Sequence, residues 1–181
     1  MSTEAVQETP VAIPDGVMVR LDGRTLSVKG KLGEAKKHFD KVNINLAVQG
    51  NRVLLSPFST KKKDSVIVNT VVSIVNNMVA GVTKGFTYRL KVVYAHFPIS
   101  VKVKGDQVLV ENFMGERSPR VSQIVGSSKV SVEGDDVIVK GVSLEDVGQT
   151  AANIELATKV RRKDQRVFLD GVYIYHKEEG P

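Results

Sequence analysis

The chain of 181 residues contains no cysteine, which excludes disulfides and thiolate metal sites and is consistent with a reducing compartment. Its three histidines, His38, His96 and His176, lie far apart, without the spacing of metal ligands. A glycine-rich phosphate loop and a nucleophile elbow are also missing. The acidic pair Asp135-Asp136 is interpreted as turn residues. We therefore expect neither an enzyme nor a cofactor or metal site.

Long uninterrupted apolar runs are missing as well. The most apolar stretch, Ser65 to Val82, is broken by Asn69, Thr70, Ser73, Asn76 and Asn77, which argues against a membrane span. Residues 1–7 are polar and acidic and lack the apolar core of a signal peptide. These patterns indicate a cytoplasmic protein with no membrane partner.

The second half of the chain repeats the first. The matched pairs are Val19–Gly23 with Val101–Gly105, Gly33-Glu34 with Gly115-Glu116, and Val48–Leu55 with Val132–Val139. A segment used twice indicates a duplicated domain. We predict a flexible tail over residues 1–11, a first repeat over 12–96 and a second repeat over 97–181.

Turn residues between alternating apolar positions predict four hairpins. The turns are Asp22-Gly23, Gln49-Gly50-Asn51, Gly105-Asp106 and Glu133-Gly134-Asp135-Asp136.

Each repeat then continues with a predicted helix. The first runs from Ser65 to Ala80, with Asp64 as its N-cap and Gly81 as its stop, and the second begins after Ser143. Thr87–Val93 and Val172–Tyr175 are predicted as the final strands. The fold class is therefore α+β: two tandem copies of a small domain, each an antiparallel sheet with one packed helix.

The net charge of +6 indicates an anionic partner, but the charge is unevenly distributed. Residues 1–97 hold fourteen Lys/Arg against seven Asp/Glu, while residues 98–181 hold twelve against thirteen. The densest basic cluster nevertheless lies in the second half, at Lys159, Arg161, Arg162, Lys163 and Arg166. Cations at a helix C-terminus complement its dipole, and arginine forks also suit phosphate oxygens, so both interpretations stay open.

Two smaller basic groups are weaker candidates. Arg117 and Arg120 flank Ser118-Pro119 on a loop that proline keeps extended. The run Lys61-Lys62-Lys63 precedes the first predicted helix and either binds an anion at the helix N-terminus or aids solubility as an exposed loop.

Aromatic residues make up 6% of the chain and do not alternate with basic ones as in single-strand binding proteins. Phe168, Tyr173 and Tyr175 lie in alternating apolar sequence and are predicted to be core residues. An RNA partner would then be recognised by its shape and phosphates.

Several long motifs resemble one family of ribosomal proteins. The segments that carry the resemblance are Asn76–Phe86, Val93–Ile99, Asn112–Arg117 and Arg166–Ile174. They are similar to the universal large-subunit family called protein six in bacteria and protein nine in eukaryotes, over about residues 13–177. The bacterial terminal motif Tyr-Lys-Gly-Lys-Gly is missing, which favours the archaeal and eukaryotic branch.

The resemblance implies a structural constituent of the large ribosomal subunit. It implies that the second domain binds 23S-type rRNA near the sarcin–ricin loop, where translation factors dock. The first domain would point towards the stalk base, with other ribosomal proteins as neighbours. Carried onto this chain, the implied rRNA-binding positions are Arg117, Arg120, Lys159, Arg161, Arg162, Lys163 and Arg166. Lys61, Lys62 and Lys63 form a possible secondary anion contact.

An alternative from another functional class is a protein-interaction adaptor at the stalk base, for which RNA contact is incidental. Separate expression of residues 1–96 and 97–181 would distinguish the two hypotheses, and binding of rRNA by the first half alone would contradict the positions implied by the resemblance.

Overall fold

The computed structural model describes residues 9–59, 62–161, 163–164 and 166–180. The chain divides between Lys84 and Gly85 into two compact units. Each unit combines antiparallel sheets with one long helix, so the predicted α+β class and the duplicated architecture are confirmed. The strands of each unit are shared between two sheets.

The first unit consists of six strands and a helix: β1 (Thr9–Ala12), β2 (Met18–Asp22), β3 (Thr25–Gly30), β4 (Gly33–His38), β5 (Ile44–Gln49), β6 (Arg52–Pro57) and α1 (Lys62–Thr83). Its sheets have the orders β1-β6-β5 and β2-β3-β4. By length and composition, Asp64–Thr83 could cross a membrane. In the structure α1 packs on β1, β3, β4 and β6, with Val71, Val75 and Val82 buried.

The second unit consists of seven strands, one turn of 3₁₀ helix and a helix: β7 (Phe86–Val93), β8 (Ser100–Lys104), β9 (Gln107–Glu111), the 3₁₀ turn (Phe113–Gly115), β10 (Arg120–Gln123), β11 (Lys129–Glu133), β12 (Asp136–Gly141), α2 (Leu144–Ala157) and β13 (Gly171–Glu179). Its sheets have the orders β11-β12-β7-β13 and β10-β9-β8. The core is formed by α2 residues Val147, Ala151 and Ile154 packed near Leu90 and Val139.

All four predicted hairpins are present, and they share one turn geometry. Each has a two-residue loop whose first residue is a glycine: Gly23, Gly50, Gly105 and Gly134, with φ between +56° and +62°. A positive φ at this position is typical of glycine in tight hairpins. Glycine is therefore needed at these turns for its backbone conformation, since no atom of the described residues, apart from the flanking ones, lies within 4 Å of where a Cβ would be.

The strand at Phe86–Val93 requires a correction of the predicted domain boundary. It was predicted as the last strand of the first repeat, but it pairs with β12 and β13 at the centre of the second unit. The boundary therefore moves from residues 96/97 to Lys84/Gly85. Sequence proximity to α1 suggested the first repeat, whereas the apolar residues Leu90 and Val92 are buried in the second.

The predicted tail and helix ends also need correction. Thr9–Ala12 form β1 against β6, so the strand begins within the segment 1–11 that was predicted as a tail, and residues 1–8 lie outside the described residues. The helix α1 begins at Lys62, so Asp64 lies in its first turn and is not the N-cap. The helix continues through Gly81 and ends before Gly85, whose φ of +82° cannot continue a helix.

The start of α2 agrees with its sequence. Ser143 is the N-cap, and its hydroxyl accepts a hydrogen bond from the Asp146 amide at 3.2 Å. The carboxylates of Glu145 and Asp146 lie in the first turn, where they compensate the positive end of the helix dipole.

Candidate nucleic-acid interface

Three loops of the second unit meet at one place. They are the β7–β8 loop (residues 94–99), the β9–β10 loop (112–119) and the α2–β13 loop (158–170). The Asn112 side-chain amide donates to the Pro98 carbonyl at 3.0 Å, and the Ala95 amide donates to the Asp170 carboxylate at 3.2 Å. A Cβ at Gly115 would lie 3.3 Å from the Phe97 ring. These contacts hold the three loops together.

The β9–β10 loop has an unusual backbone. Asn112 and Met114 have φ values of +57° and +51°, which lie in the left-handed region that residues other than glycine rarely adopt. The Phe113 ring between them is buried and anchors the loop to the core. Left-handed non-glycine residues cost energy and concentrate at functional sites.

Arg120 organises this end of the unit. Its Nε and Nη2 donate to the Glu116 carboxylate at 2.8 and 2.6 Å, and Nη1 donates to the carbonyls of Ala157 and Lys159 at 2.9 and 3.2 Å. Its guanidinium also lies 4.2 Å from the centre of the Phe113 ring. The hydrogen bonds from Arg120, and to a smaller extent its charge, keep the pKa of Glu116 below its ordinary value. The sequence predicted Arg120 as an rRNA contact, but its guanidinium already donates to acceptors within the protein. These hydrogen bonds connect the β9–β10 loop to the end of α2.

Arg117 lies on the same loop and differs from Arg120. It is exposed, as are its neighbours Ser118 and Pro119. Within the described part of the chain, no hydrogen bond or ion pair to the Arg117 side chain is found. Its guanidinium is therefore available to an external anion.

The α2–β13 loop presents the predicted basic cluster to solvent. Lys159, Arg161, Lys163 and Arg166 are all exposed. The Lys163 ammonium lies 4.4 Å from the centre of the Phe168 ring. Arg162 lies outside the described residues.

Asp164 shapes the middle of this loop. Its carboxylate accepts from the Arg166 amide and guanidinium at 3.0 to 3.2 Å, and its carbonyl accepts from the amides of Val167 and Phe168. The hydrogen bonds from Arg166 lower the pKa of Asp164. Because the Arg166 side chain is 90% exposed, solvent screens this ion pair, and its charge can also serve an external partner.

The lysine run before α1 is less well defined. Lys61 lies outside the described residues, and Lys62 is the first residue of α1. This run belongs to the first unit, whereas the three meeting loops belong to the second. Whether it binds an anion stays a prediction.

The aromatic residues depart from the prediction. Phe168, Tyr173 and Tyr175 were predicted as core, but Tyr173 and Tyr175 are exposed and Phe168 is half-buried. The prediction was wrong because the buried Val172 and the half-buried Ile174 alternate with Tyr173 and Tyr175 along β13, so the two tyrosines lie on the opposite, exposed face of the strand. Burial and nearby carboxylates raise the pKa of Tyr173.

Sequence reasoning missed three residues where the loops meet: Phe97, Met114 and Asp170. All three fall inside motifs that only the family resemblance singled out, and without that resemblance Asp170-Gly171 looks like an ordinary turn. Among the described residues, no group of three or more His, Asp or Glu side chains could hold a metal ion.

Comparison with known proteins agrees with this architecture. The family model for ribosomal protein L6 matches twice, at residues 13–85 and 97–171. The chain is 43% identical over 178 residues to the large ribosomal subunit protein uL6 of Methanobrevibacter smithii, covering 98% of this chain and 100% of that protein. It is 44% and 46% identical to the uL6 proteins of Aeropyrum pernix and Ignicoccus hospitalis, covering 93% of this chain and 93% of each relative.

The two family matches correspond to the repeat found in the sequence, and the relatives are archaeal, as the missing bacterial terminal motif suggested. The chain therefore belongs to the ribosomal protein L6 family.

Proposed function

We propose that this chain is a structural constituent of the large ribosomal subunit in the cytoplasm and binds large-subunit rRNA through the three meeting loops of its second unit. The single observation that carries the proposal is the exposure of four basic side chains on two of these loops, at Arg117, Lys159, Arg161 and Lys163, next to carboxylates that are already paired. Phosphate contacts supply most of the non-specific affinity for nucleic acid.

Arg120 has a different part in this proposal. Its hydrogen bonds to Glu116 and to the end of α2 position the loops, while Arg117 and Arg161 make the phosphate contacts. The sarcin–ricin region as the rRNA target, the stalk base as a neighbour and translation factors nearby are the finer parts of the proposal, which follow from the family resemblance.

The test is the salt dependence of binding to an rRNA fragment that carries the sarcin–ricin stem-loop. We expect the double variant Arg117→Ala/Arg161→Ala to bind more weakly and to lower the salt slope by about two units, because each lost phosphate contact removes about one. Lys104→Ala is the matched control, since Lys104 is exposed in the same unit but lies at the β8–β9 hairpin, outside the three loops. An unchanged affinity and salt slope in the double variant would contradict the proposal.

A further inference from the structure

A small pocket lies where the three loops meet. It has a volume of about 160 Å³ and is lined by His96, Phe97, Met114, Lys163, Phe168 and Asp170. Each of the three loops contributes at least one of these residues. The phosphate contacts proposed above use exposed charges on two of these loops and leave the pocket unexplained.

The size of the pocket limits what it can hold. Its volume corresponds to about five water molecules at about 30 Å³ each. Pockets for drug-sized ligands and cofactors have volumes of about 300–1,000 Å³. The pocket therefore suits one small ring system and is too small for a complete nucleotide cofactor.

The walls of the pocket suit a flat aromatic group. The Phe97 ring is 46% exposed, and the Phe168 ring has the Lys163 ammonium 4.4 Å from its centre. Unpaired bases of RNA stack on aromatic side chains, and each stacked base contributes about 1–3 kcal/mol. A base with its own phosphate would also lie beside the basic residue Lys163, which lines the pocket.

Asp170 distinguishes this pocket from a simple apolar recess. The residue is only 4% exposed, and one of its carboxylate oxygens accepts from the Ala95 amide at 3.2 Å. An ionised carboxylate only accepts hydrogen bonds and has about four acceptor sites, so acceptor sites remain on Asp170 for further donors. Among the RNA bases, guanine presents two adjacent N–H donors on its Watson–Crick edge, which a carboxylate can accept together.

The backbone around the pocket gives an independent indication of function. Met114 lines the pocket with a φ of +51°, and Asn112, two residues earlier, has a φ of +57°. The contacts of Phe113 and Arg120 hold this costly conformation in place. In the first unit the corresponding connection, between β3 and β4, is the two-residue turn Lys31-Leu32. The second unit thus maintains a strained loop that the same fold does not require.

We propose that this pocket receives a single unstacked guanine base of the bound RNA, with the Asp170 carboxylate accepting its N–H groups and Phe168 contacting its ring. The inference rests on the proposed function and specifies which group of the bound RNA the second unit recognises. Base contacts specify sequence, whereas phosphate contacts only position the RNA.

The first experiment uses the full chain and the rRNA fragment. Asp170→Asn keeps an oxygen for the Ala95 amide but places an amide donor against the guanine donors. We expect about tenfold weaker binding with an unchanged salt slope, because a base contact and no phosphate contact is lost. Asp106→Asn removes the same charge at the β8–β9 turn and should leave affinity unchanged or slightly higher. Equal behaviour of the two variants would overturn the inference.

The second experiment does not depend on rRNA. Amide NMR spectra of the full chain are recorded with guanosine monophosphate, adenosine monophosphate and inorganic phosphate. We expect guanosine monophosphate alone to shift the signals of Ala95, Met114 and Asp170 at low millimolar concentration, and Asp170→Asn to abolish the shifts. Equal shifts with adenosine monophosphate or phosphate would overturn the inference. Failure of the rRNA fragment to bind while guanosine monophosphate still shifts these signals would refute the proposed rRNA site and retain the pocket.

Discussion

The two units close the same hairpin in different ways. In the first unit, the Leu32 amide in the tight β3–β4 turn donates to the Val82 carbonyl in the last turn of α1. In the second unit, a loop of eight residues replaces that turn, and the Arg120 guanidinium donates to the Ala157 carbonyl at the end of α2. A backbone contact in one copy is thus replaced by a side chain in the other. The duplicated fold tolerates a long loop at this position because the Arg120 side chain makes the contact with the end of the helix that the turn backbone makes in the first unit.

The repeated glutamate shows the same divergence. Glu34 accepts from the Ser27 hydroxyl at 2.6 Å and pairs with Lys36, whereas Glu116 pairs with Arg120. The hydrogen bond from Ser27 lowers the pKa of Glu34, and the hydrogen bonds from Arg120 lower the pKa of Glu116. The residue is the same in both copies, but only Glu116 is part of the contacts that shape the candidate interface.

The net charge of each unit does not indicate which unit contains the candidate interface. With the boundary at Lys84/Gly85, the first unit holds twelve Lys/Arg against seven Asp/Glu and the second fourteen against thirteen. The more nearly neutral unit contains the candidate interface because its cations are gathered on two adjacent loops. Screening limits an exposed charge to about 10 Å at about 0.1 M salt, so local clustering matters more than the net charge.

Removing Arg120 should have the largest effect on this comparison. Its counterpart in the first unit is Ala35, since Arg120 faces Val110 in the sheet as Ala35 faces Val28. We expect Arg120→Ala to lower the free energy of unfolding by about 2–3 kcal/mol, because several charge-assisted hydrogen bonds are lost. Denaturant unfolding would measure this. Unchanged stability together with a loss of one unit of salt slope would show that Arg120 contacts phosphate directly.

A methyl group at the tight turn should destabilise the first unit. The Cβ of an alanine at Gly30 would lie 2.6 Å from the Val82 carbonyl oxygen, which is a backbone atom. We expect Gly30→Ala to cost about 1–3 kcal/mol, as overpacking typically does. Thermal unfolding of the full chain would measure the loss, and an unchanged melting temperature would show that the turn can move away from α1.

The two glutamates can be compared by pH. Glu116→Gln should reduce stability at pH 7 by less than about 1 kcal/mol, since the pair is partly exposed. The pKa of Glu116 is lowered below 4.5, so its contribution is full above that pH and is lost as the pH falls through the lowered pKa. The difference between wild type and variant should therefore disappear in acid.

Glu34→Gln is the matched variant in the first unit, where the β3–β4 turn is not held by a glutamate–arginine pair. We expect no measurable change in its denaturant midpoint at pH 7. An equal loss in both variants would contradict the special role of the Glu116–Arg120 pair.

The smallest expected effect is a gain. Gly148 lies inside α2, and a Cβ there would meet only the Tyr88 ring at 3.8 Å, an ordinary contact. We expect Gly148→Ala to raise the free energy of unfolding by about 0.5–1 kcal/mol, because alanine favours helix. A loss measured by denaturant unfolding would mean that α2 packs more closely on β7 than these distances indicate.

Local chemistry made part of this structure predictable. The Gly turns at positions 23, 50, 105 and 134 and the Ser143 cap depend on neighbouring residues only, and all five are found where the pattern indicates. The end of α1 was misjudged because a glycine can remain helical when it is buried, as Gly81 is. The core assignment of Tyr173 failed because alternation alone does not indicate which face of a strand is buried, and in β13 the buried face carries Val172 and Ile174.

The sequence by itself determined the duplication, the α+β class, the family and the position of the basic cluster, because repeats, turn glycines and charges are properties of short segments. Only the tertiary structure assigned β7 to the second unit, since strand pairing joins residues far apart in the chain. It also separated Arg117 from Arg120, two arginines three positions apart, because the fold brings Glu116 and the end of α2 to one of them. The pocket at Asp170 likewise exists only where three distant loops meet.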